Sequence, residues 1–483
     1  MKNLLFIFSI IALSSCTWNE NSNVLEHQFP EEIGTIITTK CAITGCHNEA
    51  SHNAAGGLNL TNWNTLFEGS WGGATVIPYR PKESFFMYFI HEDSSLTPVV
   101  APLMPINKTP LSQDEVYSIY QWIEEGAPNY EGEVKFEDKM NSSKLFVTNQ
   151  GCDQVAVFDT ESKNVMRVFD VGALNSIESP HFTKISPDGN YVYICYTASN
   201  VFQKFDANTH QLVGEADITF GNWNTFAVSN DGNYAFVVDW QENGRVAVVD
   251  LNDMSNPVTY QGFGLLRNIH GSFLSTDNQF LYLTAQTGNF IYKVDISDIE
   301  DPQFEEISMI TGEAPNYASS LDIHEFMFTP DGSKYYVSCQ KTNEVRVIQS
   351  SNDSLLKVIP TGTYPQEFGV SEVNPYLFIT CPEDTTTYPD KRGSVYIVNY
   401  ETDEVVTSLF TGYQPHGLAV DDEEGIVYIG NRNQSTEGPA PHHASDCGGK
   451  NGYITIIDMN TLDMVPGYKY EVLSDPYALV LRK

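Results

Sequence analysis

Seven β-rich repeats, followed by a terminal strand with no repeat of its own, predict a closed all-β seven-bladed β-propeller. A capped amphipathic helix lies ahead of the repeats, in a segment expected, from the resemblance given below, to be a small all-α domain. The chain has 483 residues, 41% of them hydrophobic, which is enough for both units. Acidic residues number 62 and basic residues 26, giving a formal charge of −36. That balance argues against nucleic acid, whose phosphates require clustered basic residues; it permits partner proteins with a basic surface, or cations, while the plainest reading of scattered acid is a soluble surface.

The elements follow in chain order. Met1-Lys2-Asn3 and the apolar run from Leu4 to Leu13 read as the start of a signal peptide over residues 1–16. The run is about half the ~20 residues that span a bilayer, so no transmembrane helix is expected. Leu13-Ser14-Ser15-Cys16 resembles the lipobox of bacterial lipoproteins. The resemblance implies cleavage before Cys16, acylation of its sulfur, and export to the bacterial cell envelope. Contact with the membrane would then run through the lipid anchor only, with the chain facing the periplasm or the outer membrane. An ordinary secreted protein with an incidental Cys16 is the alternative. Residues 17–30 are polar and read as a tether.

Cys41-Ala42-Ile43-Thr44-Gly45-Cys46-His47 spells C-x4-C-H, two residues longer than the usual C-x-x-C-H haem attachment. Gly56-Gly57-Leu58, then Met104-Pro105, then a helix with the capping box Ser112-x-x-Glu115 follow it. Val116, Ile119, Tyr120 and Ile123 give that helix an apolar stripe, and Gly126 and Pro128 end it. This order, closing on Trp122-Ile123-Glu124-Glu125-Gly126-Ala127, resembles the small cytochrome c domains fused to other modules in bacterial exported proteins. The resemblance covers residues 31–132 and implies haem c bound through Cys41 and Cys46. It carries over His47 as the proximal iron ligand and Met104 as the distal one; Met87, His52 and His91 are the rivals. A small Cys41–Cys46 disulfide is the alternative to haem.

Residues 133–483 hold the repeats. Anchor strands end at Asp159, Asp206, Asp250, Asp295, Gln349, Asn399 and Asp458, between 44 and 59 residues apart. Turns such as Ser186-Pro187-Asp188-Gly189-Asn190 introduce many of the preceding strands. The units resemble YVTN-type seven-bladed propellers. Tyr477-Ala478-Leu479-Val480-Leu481 reads as an inner strand that completes the first blade. Closure of this kind would bring the loops of Cys152 and Cys447 together, as a disulfide or as two thiols.

One register position recurs across the blades. Counting seven residues back from Asp188, Asp277, Asp331 and Glu423 reaches His181, His270, His324 and His416. The same count from Asp231 and Val373 reaches Asn224 and Gln366. Inner-strand entries of a closed ring face its channel, so the four histidines are expected to converge there. They would hold a transition metal or simply line a pocket. His442 and His443, in the seventh-repeat insertion, are candidates for the same mouth. The pattern resembles, without a residue-by-residue match, the copper-binding propeller of nitrous oxide reductase and the haem-containing nitrite reductases.

Three functions are consistent with these residues. The first is an electron-transfer lipoprotein whose haem relays electrons while the propeller docks a partner or ligand. The second is a periplasmic oxidoreductase with a metal or redox cofactor in the channel. The third is a non-redox binding scaffold. An electron carrier is preferred, with no catalytic residues assigned.

Overall fold

The turn at Ser186-Pro187-Asp188-Gly189-Asn190 sets the pattern of the blades. The computed structural model describes residues 26–260, 266–318, 321–435, 447 and 451–483. In it the Ser186 hydroxyl donates to Asp188 Oδ1 at 2.5 Å, and the Tyr191 N–H donates to Ser186 Oγ at 2.9 Å. Gly189 supplies the left-handed residue, φ +73°, that reverses the chain. The same clasp joins Ser229 to Asp231, Ser275 to Asp277 and Thr329 to Asp331. These hydroxyl donors hold all four carboxyls below the usual carboxylate range.

Each reversal feeds an antiparallel sheet, and seven such sheets form the ring. Blades two to seven begin with the inner strands Pro180–Ile185, Trp223–Val228, Ile269–Leu274, Ile323–Phe328, Phe368–Val370 and Pro415–Asp421. Second strands such as Tyr234–Asp239 are buried almost throughout, because neighbouring blades cover both faces. Outer strands such as Glu404–Leu409 face solvent and carry charge. Blade one is composite. Its inner strand is the C-terminal Pro476–Arg482, which pairs with Lys144–Asn149 so that Leu479 lies opposite Val147. That pairing removes the free inner edge an open array would present. Cys152 and Cys447 are joined as a disulfide, Cα to Cα 4.4 Å, tying blade one to the seventh-blade insertion.

The expected all-α cytochrome domain does not form; the chain is nearly all β. Residues 26–140 carry the short helices Glu31–Lys40, Trp63–Glu68, Phe85–Tyr88 and Gln113–Glu124, joined by long irregular stretches. The capping box is present, with the Ser112 N–H donating to Glu115 Oε2 at 2.7 Å. Helix Trp63–Glu68 is also boxed, by Asn62 and Thr65, but it is only six residues long, and Gly56-Gly57, Gly69, Gly72-Gly73, Pro78 and Pro81 keep the segment's other helices short. The segment also lacks a separate core. Phe29, Ile37, Trp63, Phe67, Ile119 and Phe136 belong to one buried cluster with Phe146, Val157, Met166 and Phe205 of blades one and two. Ala74 and Ile77 join Leu145 of blade one and Tyr428 of blade seven. Among the described residues no helix is long and apolar enough to cross a membrane. Cys16, His442 and His443 lie outside the described residues.

Candidate functional site

Two places gather residues able to hold a metal or cofactor. The first follows helix Glu31–Lys40. Its last turn delivers Cys41, whose N–H donates to the Ile37 carbonyl at 2.9 Å. The next residues loop back so that the His47 N–H donates to the Cys41 carbonyl at 3.1 Å. Cys41 and Cys46 are both free thiols, not bridged to each other. Burial, then Cys46, push the Cys41 thiol up to about 12, so it stays protonated. His47 is half-buried, and its Nδ1 lies 3.2 Å from the Leu58 carbonyl oxygen. A carbonyl only accepts, so Nδ1 carries the proton and Nε2 the lone pair. Desolvation lowers the His47 pKa and favours the neutral ring.

The rivals for the distal position differ in what already engages them. His91 uses both nitrogens: Nε2 meets Thr97 Oγ1 at 2.7 Å, and Nδ1 accepts from the Asp93 N–H at 3.1 Å. Met87 is fully buried in the core. His52 has its Nδ1 3.1 Å from the Gly57 carbonyl. Met104 is half-buried against the core, its N–H donating to the Phe89 carbonyl at 2.7 Å. The loop around it exposes Val99, Val100 and Ile106.

The second place is the channel. Pairing slips between Pro180 and Phe182, Trp223 and Thr225, Ile269 and Ser272, Ile323 and Phe326, and Pro415 and Leu418. Each bulge takes one or two residues out of the ladder and re-aims them; at Ile323/Phe326 these are His324 and Glu325. The residues so displaced are His181, Asn224, His270, His324 and His416, and Gln366 and Tyr477 hold the matching places in blades six and one. Second-strand hydroxyls lock the arrangement. Thr284 Oγ1 accepts from the Gly271 N–H at 2.7 Å and donates to the His324 carbonyl at 2.8 Å. Ser338 Oγ does the same between the Glu325 N–H and the Gln366 carbonyl.

The four histidines lie around one axis. Ring centroids are 5.9 Å apart for His181–His270 and 3.6 Å for His270–His324. Tyr477 links His181 to the fourth histidine, with its ring 4.3 Å from His181 and 3.7 Å from His416. His181 Nδ1 lies 2.6 Å from the Asn224 carbonyl, and His416 Nδ1 lies 3.1 Å from the Tyr477 carbonyl. The histidine register overlooked two kinds of neighbour. Tyr477 was marked by Pro476-Tyr477 standing where blade seven has Pro415-His416. Glu325, Glu367 and Lys184 were not marked, because charged residues beside a bulge look like solvated strand ends. Burial raises the carboxyls of Glu325, to about 7, and of Glu367, against the attraction of Lys184. Burial lowers the Lys184 ammonium in turn.

Comparison with known proteins adds the fold and little more. No family model matches the chain. It is 28% identical over 218 residues to the uncharacterized protein YwhL of Bacillus subtilis, covering 44% of this chain and 43% of that one. It is 22% identical over 262 residues to Antigen Lp49 of Leptospira interrogans, covering 50% of this chain and 53% of that protein. The chain thus spans about half the length of the curated relatives it matches. Among solved structures, a "putative 6-phosphogluconolactonase" from Bacteroides uniformis superposes with a TM-score of 0.53 at 15% identity, over 71% of this chain and all of that one. The dihydro-heme d1 dehydrogenase NirN superposes at 0.48 and 13% identity, over 93% of this chain and 98% of that one. At these identities the likeness concerns the propeller fold.

Proposed function

We propose that the chain is a haem-binding electron-transfer protein of the cell envelope, anchored by lipid at Cys16, whose propeller docks a partner with a basic surface. The observation that carries this reading is local: two unbridged cysteines flank a turn that ends in His47, whose Nδ1 is committed to the Leu58 carbonyl. An axial histidine held through its far nitrogen presents Nε2 to a metal. Cys41 and Cys46 would hold the haem covalently, and His47 and Met104 would be its iron ligands. Haem would supply one-electron exchange at its iron. The remaining work belongs to the chain. Burial keeps His47 neutral, and the apolar side chains of Val99, Val100 and Ile106 offer a surface that a macrocycle would cover.

The test is an absorbance spectrum of the full chain from a host that attaches haem. A Soret band should survive denaturation and acid extraction, and the double variant Cys41→Ala/Cys46→Ala should release the pigment on extraction. Met104→Ala should lower the reduction potential and remove the near-infrared band of methionine–iron(III) ligation. No Soret band in the full chain would favour the non-redox scaffold. Unchanged potential and band in Met104→Ala would move the distal ligand to His52.

A further inference from the structure

Blades five, six and seven bring His324, Glu367 and His416 into one cluster, with a ligand atom of each within 4.8 Å of the others. Both histidines are buried, at 0% and 1% exposed, and Glu367 is half-buried beside the ring amide Gln366. The Nδ1 of His416 faces the Tyr477 carbonyl, which leaves its lone pair on Nε2. A second, independent observation points to a ligand in the same channel. Asn224 is 1% exposed, yet neither atom of its side-chain amide has a hydrogen-bond partner among the described residues. Gln366 Oε1 and Glu325 Oε2 are in the same condition. Buried polar atoms left in this state require an explanation, and a bound ion with its waters is one.

We propose that His324, Glu367 and His416 hold a divalent transition-metal ion in the propeller channel. Two imidazoles and one carboxylate form an N2O donor set that suits Zn(II) or Fe(II), and the carboxylate disfavours an anion. Donor atoms no more than 4.8 Å apart are close enough to share one ion at bond lengths of ~2.0–2.2 Å after small side-chain adjustments. Three protein ligands leave at least one coordination position for water or a small molecule, with the amide of Gln366 next in sequence to the ligand Glu367 and that of Asn224 in the same channel. The register of four histidines is thereby narrowed. His181 and His270 line the channel, and the third ligand is a carboxylate. This site shares no residue with the haem site, so either reading can fail alone.

Full-length protein stripped with a chelator, then titrated with Zn(II) by calorimetry, should take up one ion per chain. Co(II) in its place should give visible bands of a low-symmetry N/O site. Glu367→Gln and His416→Ala should each weaken Zn(II) binding at least tenfold, while His181→Ala should leave it unchanged. Circular dichroism checks folding, and Glu367→Gln, which keeps the channel filled, decides the matter if His416→Ala unfolds. Failure of the wild type to bind micromolar Zn(II), or binding unaltered in Glu367→Gln, would overturn the proposal. The Soret band should be the same in all of these variants.

Discussion

His210 stacks on Phe169 at 5.4 Å with a 5° interplanar angle, meets Phe146 edge-on, and lies 9% exposed. Burial first, then the nearby Lys144 and Arg167 cations, push its pKa down to about 3. The folded chain keeps this ring neutral, whereas the unfolded chain protonates it near pH 6.5. Stability from this residue is therefore complete above pH 6.5 and is lost as the pH falls towards 3. The total is on the order of 5 kcal/mol by linkage. His210→Phe should keep the stack and lose the titration. Denaturant midpoints at pH 7 and pH 4 should differ less in the variant than in the wild type. Equal losses in both would assign acid sensitivity to other groups. The contrast with His47 is instructive, since both are desolvated, but His47 is half-buried with a carbonyl partner and His210 is packed between aromatic faces beneath cations. Residue type alone does not separate these roles.

Strand Pro476–Arg482 supports the ring in two ways. Its backbone pairs with Lys144–Asn149, and Asp475 just before it forms a buried ion pair with Arg432 at 2.6 Å. Deleting residues 474–483 strips both, leaving the inner edge of blade one bare and Arg432 without that carboxylate; breaking a buried pair typically costs ~3–5 kcal/mol. The truncated chain should lose its cooperative melt and aggregate, as light scattering during a thermal ramp would show. A monomeric product with an unchanged melting temperature would mean that the ring closes by other contacts. The Cys152–Cys447 disulfide adds to the same closure. Its loop-closure effect acts on the unfolded chain, across a sequence separation of 295. These blade elements were readable in the sequence because turn chemistry and strand spacing repeat, so one well-formed turn such as Ser186–Asn190 identifies the others. The bulges were readable only through their consequence, the recurring histidine position. Glu367 remained hidden because blade six replaces the histidine with Gln366 and lacks the aspartate-glycine turn.

At the scale of the whole molecule, the N-terminal segment and the propeller are held by one core and by charge. Arg80 pairs with Asp170 of blade one at 2.7 Å, and Arg167 of blade one pairs with Glu137 at 3.1 Å. The sequence suggested a separable domain because the motif order Cys46-His47, Gly56-Gly57, Met104-Pro105 is local. Where apolar side chains are buried is not local, and Phe67, Ile77 and Phe136 reach across to the blades. A chain starting at residue 141 would uncover Met166 and much of the outer face of blade one, and would leave Arg167, 6% exposed here, without Glu137. Buried apolar side chains contribute ~1.5–3 kcal/mol each, so a few such exposures approach the whole ~5–15 kcal/mol by which domains are stable. The truncated propeller should therefore melt well below the full chain and bind a hydrophobic dye before unfolding. Two independent transitions in the full chain, the upper one matching the truncated protein, would instead restore the picture of two autonomous units.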